Sequence, residues 1–153
     1  ARFLRAGAAV FRVLEGEHLR LIAQTGGAAG TIASRELIRV GESLSGTVAA
    51  QEKSLVVDDL VPETRMLTPH REAALAGGYR AYLGLPLHRS GRLVGVLSLY
   101  AKQIGAFGPE DVTLGMGLAE QVALALEKAD LLRRERQQGD RLRALHDGYD
   151  QRP

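Results

Sequence analysis

The segment Tyr79–Ala101 constrains this chain more than any other. Two apolar runs, Tyr79–Leu87 and Leu93–Ala101, are joined by His88-Arg89-Ser90-Gly91-Arg92, and Ser90-Gly91 is turn chemistry, so the pair reads as a β-hairpin. The second run, "LVGVLSLYA", is apolar at almost every position. A strand with one wet face alternates, whereas a strand without alternation is buried on both faces. Helices must therefore cover both sides of the sheet that holds this hairpin. Gly95, inside the second run, predicts close approach of another backbone.

The remaining segments supply further strands and the covering layers. Ala8–Leu14 and His18–Ala23 are strand-like and are broken by Glu15-Gly16-Glu17, which predicts a first hairpin. Ala28–Val40 is poorly patterned and is expected to be irregular. Ser45–Gln51 predicts a short helix leading into a third strand over Ser54–Asp58. Thr68–Ala76 predicts another helix, with Thr68 as N-cap, Pro69 as the first helical residue and Gly77-Gly78 as the stop. Phe107-Gly108-Pro109-Glu110-Asp111-Val112 starts the last helix, with acids in its first turn and Phe107 and Val112 placed as a hydrophobic staple. Val112, Leu118, Val122, Leu126 and Ala129 then recur at roughly helical spacing. This helix is expected to run toward Leu142 and Leu145, on the order of 50 Å. Gly139, which costs about 1 kcal/mol relative to Ala in a helix, is the expected place for a break. Strand pairs joined by tight turns, interleaved with helices, predict an antiparallel sheet in an α+β domain.

Composition removes several function classes. A chain of 153 residues fits one domain with an appended helix. Lys+Arg at 20 against Asp+Glu at 18 is near balance, and Glu135 interrupts the one dense basic run, Leu132–Arg136, which reads as a solvated helix face. Nucleic acid is therefore not an expected partner. The chain has no Cys, which removes disulfides, zinc–thiolate sites, iron–sulfur clusters and thiol catalysis, and fits a reducing compartment such as the cytoplasm. No apolar run approaches the roughly 20 residues of a membrane span, and no signal peptide is visible. The absence of an initiator Met is expected of a segment of a longer protein.

"IRVGESLSGTVAAQEKSLVVDD", Ile38–Asp59, resembles two catalytic loops and satisfies neither. A nucleophile elbow needs G-x-S-x-G after a buried strand; the fifth position here is Ser45, and Ile38-Arg39-Val40 is short and carries a charge. Of His18, His70, His88 and His146, only His70 lies on an element expected to face a cavity, so no triad assembles. A phosphate-binding Walker loop needs Lys after its glycines, and Gly46-Thr47 has none. The structural reading is that Gly41 turns the chain, Ser43 or Ser45 caps a short helix, and Val48 and Ala49 pack inward.

"VGESLSGTVAAQEKSLVVDDL", "YRAYLGLPLHRSGRLVGVLSLYA" and "FGPEDVTLGMGLAEQVALALE" together resemble a GAF domain, in the family's order and at its intervals. The resemblance implies a GAF-like central antiparallel sheet of about six strands, helices on both faces and a long C-terminal signalling helix. Residues 1–130 would form the sensor domain and 131–153 a helical linker or coiled-coil extension. The first and last helices would share one face of the sheet, with the chain starting after most of the first. Short helices and loops would surround a small-molecule pocket on the other face. GAF domains serve signalling proteins such as histidine kinases of two-component systems, cyclases, phosphodiesterases and transcription regulators. The cyclic-nucleotide branch is matched only in part, because Ala101 and Val112 replace its Asn and Glu. Covalent bilin attachment and the free-methionine-sulfoxide reductases of this fold both require Cys, which this chain lacks.

By resemblance, the pocket would lie between the third strand, the helix at Pro69 and the fourth and fifth strands. Its candidates are Asp58, Asp59, His70, Tyr79, Tyr82, Ser98 and Tyr100. Asp58 and Asp59 either accept hydrogen bonds from a ligand or cap turns. His70 either faces a ligand or is an ordinary core or surface histidine, with haem ligation the least favoured role. Tyr79 and Tyr82 flank Arg80, and Ser98 and Tyr100 share one face of their strand, either the pocket or the helix-covered side. Any ligand is expected to be noncovalent, near Asp58, His70 and Tyr82. No catalytic pair or metal cluster is visible, and no cofactor is named. Leu118, Ala125 and Leu132 recur every seven residues, with Val122 and Ala129 four residues after the first two, a short seam for a parallel homodimer. Two readings stand. One is a small-molecule sensor that relays ligand state or dimer geometry through the last helix to a linked output module. The other is a ligand-free dimerisation module with a degenerate pocket.

Overall fold

The computed structural model describes residues 6–26 and 35–150. Its strands are β1 (Ala8–Glu15), β2 (His18–Gly26), β3 (Leu37–Arg39), β4 (Leu55–Val57), β5 (Ala81–Arg89) and β6 (Arg92–Ala101). Its helices are α1 (Ser43–Gln51), α2 (Thr68–Ala76) and α3 (Pro109–Asp150). The six strands make one antiparallel sheet in the order β3-β2-β1-β6-β5-β4, so the two predicted hairpins lie side by side, joined by β1 against β6. Ser90 and Gly91 both have positive φ, the two-residue turn whose twist matches the flanking strands. The turn is thus shorter than its sequence reading, and His88, Arg89 and Arg92 belong to the strands.

Helices cover both faces of the central hairpin, as its unbroken apolar run demands. On one face Leu83, Leu85 and Leu87 of β5 and Leu97 and Leu99 of β6 pack against Phe107 and against Ala119 and Ala123 of α3. On the other, Val10, Tyr82 and Tyr100 pack with Leu44, Leu60, Met66 and Ala74 from α1, α2 and their connection. Each fully buried Leu or Val stabilises the fold by about 1.5–3 kcal/mol relative to exposure. At Gly95 an added Cβ would collide with the carbonyl oxygen of Arg12 on β1, the close backbone approach expected there.

Phe107 and Val112 join the same cluster around the start of α3, and the Asp111 carboxylate accepts a hydrogen bond from the Gly108 N–H at 2.7 Å. α3 has 42 residues, about 63 Å at 1.5 Å per residue. It continues through Gly139 without the expected break. One helical glycine costs only about 1 kcal/mol, which the hydrogen bonds on either side outweigh.

Other boundaries differ from the sequence reading for local reasons. Leu37–Arg39 is a strand, not irregular chain; it is an edge of three residues in which only Ile38 is buried, too short to show alternation. Ala28–Ser34 lies outside the described residues, as does the truncated first helix expected at the N-terminus. α1 starts at Ser43, and neither Ser43 nor Ser45 caps it: the N-cap is Glu42, without a side-chain bond, and Ser43 Oγ instead accepts from the Leu67 N–H at 3.1 Å. The N-cap of α2 is Leu67 rather than Thr68.

Candidate functional site

The face of the sheet opposite α3 contains the polar site. Alternation along β1 sets Arg12 on the same side as Ala8 and Val10, facing inward. Arg12 is only 2% exposed. Its guanidinium donates to the carbonyls of Leu19 at 3.4 Å, Glu36 at 3.0 Å and Arg35 at 2.7 Å. Among the described residues no carboxylate pairs with it, and residues 27–34 contain neither Asp nor Glu. Burial lowers the Arg12 pKa.

A cavity of about 10 Å³, close to the least that holds one water, lies beside Arg12. Ser43 and Ser45 from the first turn of α1, His70 from the first turn of α2, and Ser98 and Tyr100 from β6 complete its polar lining. His70 is 5% exposed and makes no hydrogen bond to a described residue. Burial, and then the nearby Arg12 charge, hold its pKa below the usual imidazole value, so the ring is neutral at pH 7. Because α1 has no side-chain cap, the donors of its first turn, which carries the positive end of the helix dipole, have no side-chain acceptor there.

Behind the cavity the tyrosines form a packed cluster. Tyr82 and Tyr100 meet edge to face at 5.3 Å between ring centres, and Tyr79 and Tyr100 at 6.2 Å. Tyr82 Oη and Ser98 Oγ share a hydrogen bond of 2.7 Å, and Tyr79 Oη donates to the Gly7 carbonyl at 3.2 Å. Burial pushes the Tyr82 and Tyr100 phenols well above their ordinary pKa, so both stay neutral.

The candidate residues therefore divide. His70, Ser98 and Tyr100 line the cavity; Ser98 and Tyr100 sit on the side away from α3. Tyr82 stands behind Ser98, and Tyr79 packs against Tyr100 in the same core. Asp58 and Asp59 are not among the lining residues, which corrects the expected convergence of Asp58, His70 and Tyr82. Asp58 is exposed at the end of β4. Asp59 braces the chain: it accepts from the Val61 N–H at 3.0 Å and binds Arg80 through both oxygens at 3.1 Å. The Val61 N–H first, and then Arg80, hold its carboxyl below the ordinary range. Sequence reasoning missed Arg12. The available sign was a lone charge in an otherwise apolar strand, two and four residues after the inward Val10 and Ala8.

The dimer stripe also divides. Leu118 and Val122 pack toward the sheet, whereas Ala125, Ala129 and Leu132 are exposed. The cause is the rotation of α3 that seats Ala119 and Ala123 on the sheet. Among the described residues no group of His, Asp or Glu is arranged to hold a metal ion, and no helix is long and apolar enough to cross a membrane.

The family model described as "GAF domain" matches residues 1–127. The chain belongs to the GAF family. Among solved structures, this GAF domain resembles the one from a Coxiella burnetii phosphoenolpyruvate-protein phosphotransferase, with a TM-score of 0.70 and 22% identity over 82% of this chain and 74% of that chain. It resembles the free methionine-R-sulfoxide reductase of Neisseria meningitidis in complex with its substrate, with a TM-score of 0.68 and 20% identity over 83% of this chain and 71% of that chain. A GAF domain region of a putative membrane protein from Geobacter sulfurreducens PCA gives a TM-score of 0.66 and 24% identity over 81% of this chain and 83% of that chain. At these identities the likeness is one of fold. No curated protein matches the sequence.

Proposed function

We propose that this GAF domain is a non-catalytic regulatory module of a larger cytoplasmic signalling protein. It senses a small molecule at the Arg12–His70 cavity and passes its state to α3. The observation that carries this reading is the two-sidedness of β6. Ser98 and Tyr100 face the cavity, while Leu97 and Leu99, between and beside them, seat α3. A displacement of β6 at the cavity thus moves the bed of the helix. Relay requires two arrangements separated by only a few kcal/mol that bind the ligand differently.

Catalysis is not part of the proposal. Reductases share this fold, but reduction of a sulfoxide through a thiol needs a cysteine, and the chain has none. Among the described residues no serine is hydrogen-bonded to His70, so His70 is not paired there with a hydroxyl nucleophile. The small cavity also argues against a porphyrin at His70, since ordinary ligand pockets run to about 300–1,000 Å³. That same closure favours the second reading, a ligand-free module whose pocket is filled by Tyr82, Tyr100 and Leu44.

The output path is α3. Beyond Ala123 its apolar side chains include the exposed Leu124, Leu131, Leu132 and Leu142, which we assign to pairing with a second copy of the chain. The helical extension over 131–153 would begin where α3 leaves the sheet. The test uses the cysteine-free background: Lys128→Cys with a spin label, in the chain with native Ser98 and with Ser98→Val, together with sedimentation at several concentrations. The expected result is a concentration-dependent dimer, lost on truncation after Glu127, with label distances that change when Ser98 is replaced. A strict monomer, or distances indifferent to Ser98, would overturn the relay.

A further inference from the structure

We infer that the Arg12–His70 cavity takes a compact monoanion. This rests on the reading of the cavity as the ligand site and adds the chemical class. Three independent observations point the same way. Arg12 is a buried cation whose described partners are all carbonyls; they orient the guanidinium but leave its charge without a counter-charge, and an uncompensated buried charge is costly. The guanidinium has five N–H donors, and bonds to described residues use three. The first turn of α1, without a side-chain cap, lies on the same cavity and adds the positive end of a helix dipole. His70, also lining the cavity, is buried with no described hydrogen-bond partner, and its neutral ring has one N–H to donate.

The hydroxyls fit the same assignment. Ser43 Oγ already accepts from the Leu67 N–H, so its own hydrogen is free to donate. With Tyr82 Oη donating their shared bond, the Ser98 hydroxyl proton is left to donate on the cavity side. A cation would meet Arg12 and the positive end of α1. A larger ligand would displace the tyrosine cluster. What remains is a small acceptor carrying one negative charge, either a halide ion or the carboxylate of a very short acid.

The two sources, and the neutral alternative, are separated by titrating the full chain with chloride, formate and formamide at constant ionic strength while following backbone amides by nuclear magnetic resonance. Formamide has the shape of formate without its charge. The expected result is a saturable shift of the Ser43, Ser45 and Ser98 amides with chloride or formate and none with formamide. Chloride alone identifies a halide site; formate binding identifies a carboxylate site. Arg12→Gln should weaken the anion more than about tenfold, as removal of a buried charge partner does. Because Arg12 is buried, Ser98→Ala is measured beside it and should weaken binding by about tenfold through loss of a charge-assisted bond. Equal binding of formamide and formate, no saturable response to either anion, or unchanged affinity in folded Arg12→Gln would overturn the inference. The Lys128 label distances, compared between native Ser98 and Ser98→Val, and the sedimentation of α3 are read without added anion, so the anion class and the relay fail separately.

Discussion

Replacing Gly95 with alanine tests how tightly β1 and β6 hold the cavity residue Arg12. The two strands run antiparallel with Arg12 opposite Val96 and Val13 opposite Gly95. A methyl at position 95 would meet the Arg12 carbonyl oxygen well inside 3.0 Å, and the carbonyl must retreat by about 1 Å to reach ordinary contact. Leu87 Cδ1, at 3.2 Å from the same methyl, must also give by a few tenths of an ångström. Opening a ladder by that much disrupts about two hydrogen bonds, each contributing about 0.5–1.5 kcal/mol. Overpacking strain adds about 1–3 kcal/mol. Alanine lowers the entropy of the unfolded chain and returns about 0.4–1 kcal/mol. The net expectation is a loss of about 1–5.5 kcal/mol, read as a lower urea midpoint at unchanged slope. Gly139→Ala is the control: nothing lies within 4 Å of its added Cβ, and it should gain up to about 1 kcal/mol. If Gly95→Ala unfolds within about 0.5 kcal/mol of the parent, the surface-like range, then β1 is free to move and the reasoning about a fixed Arg12 is wrong.

Tyr82→Phe should cost about 1–3 kcal/mol, because it leaves buried Ser98 without its partner. The double variant Tyr82→Phe/Ser98→Ala should lose less than the sum of the single losses, and strict additivity in urea titrations would show that the bond does not couple the two residues. Stability should be full above about pH 6.5 and decline as the pH falls through that value, because His70 is held below the pKa of the unfolded chain, which therefore takes up the proton first. Urea midpoints at about pH 7.5 and about pH 5.5 measure this, and an equal decline in His70→Gln would remove His70 as its source.

Much of the fold could be read from residue patterns because burial leaves a periodic trace. The unbroken apolar run of β6 announced two covered faces, and Phe107-Gly108-Pro109 announced the start of α3. Elements set by long-range partners left no such trace. β3 is a strand because β2 offers it an edge, and Ser43 departs from a capping role because Leu67, 24 residues away, uses its hydroxyl. The site followed the same division. Alternation predicted that Ser98 and Tyr100 share a face, but which face depended on where α3 docked. Arg12 escaped notice because its enclosure comes from β2 and the Arg35–Glu36 backbone, which are distant in sequence. Asp59 was legible as either a ligand acceptor or a turn cap; its bond from the Val61 N–H fits the cap, and the Arg80 partner, 21 residues away, left no local trace.

The tyrosine cluster has an optical consequence. The chain has no Trp and four Tyr, of which Tyr79, Tyr82 and Tyr100 form the cluster and Tyr149 lies in α3. Near-ultraviolet circular dichroism of the unlabelled protein therefore carries the signal of three rings held edge to face on the cavity side of the sheet. Far-ultraviolet ellipticity, by contrast, is dominated by the long α3. The two wavelength ranges thus observe opposite faces of one sheet, and any lag between them in a melting or titration experiment records whether those faces move together.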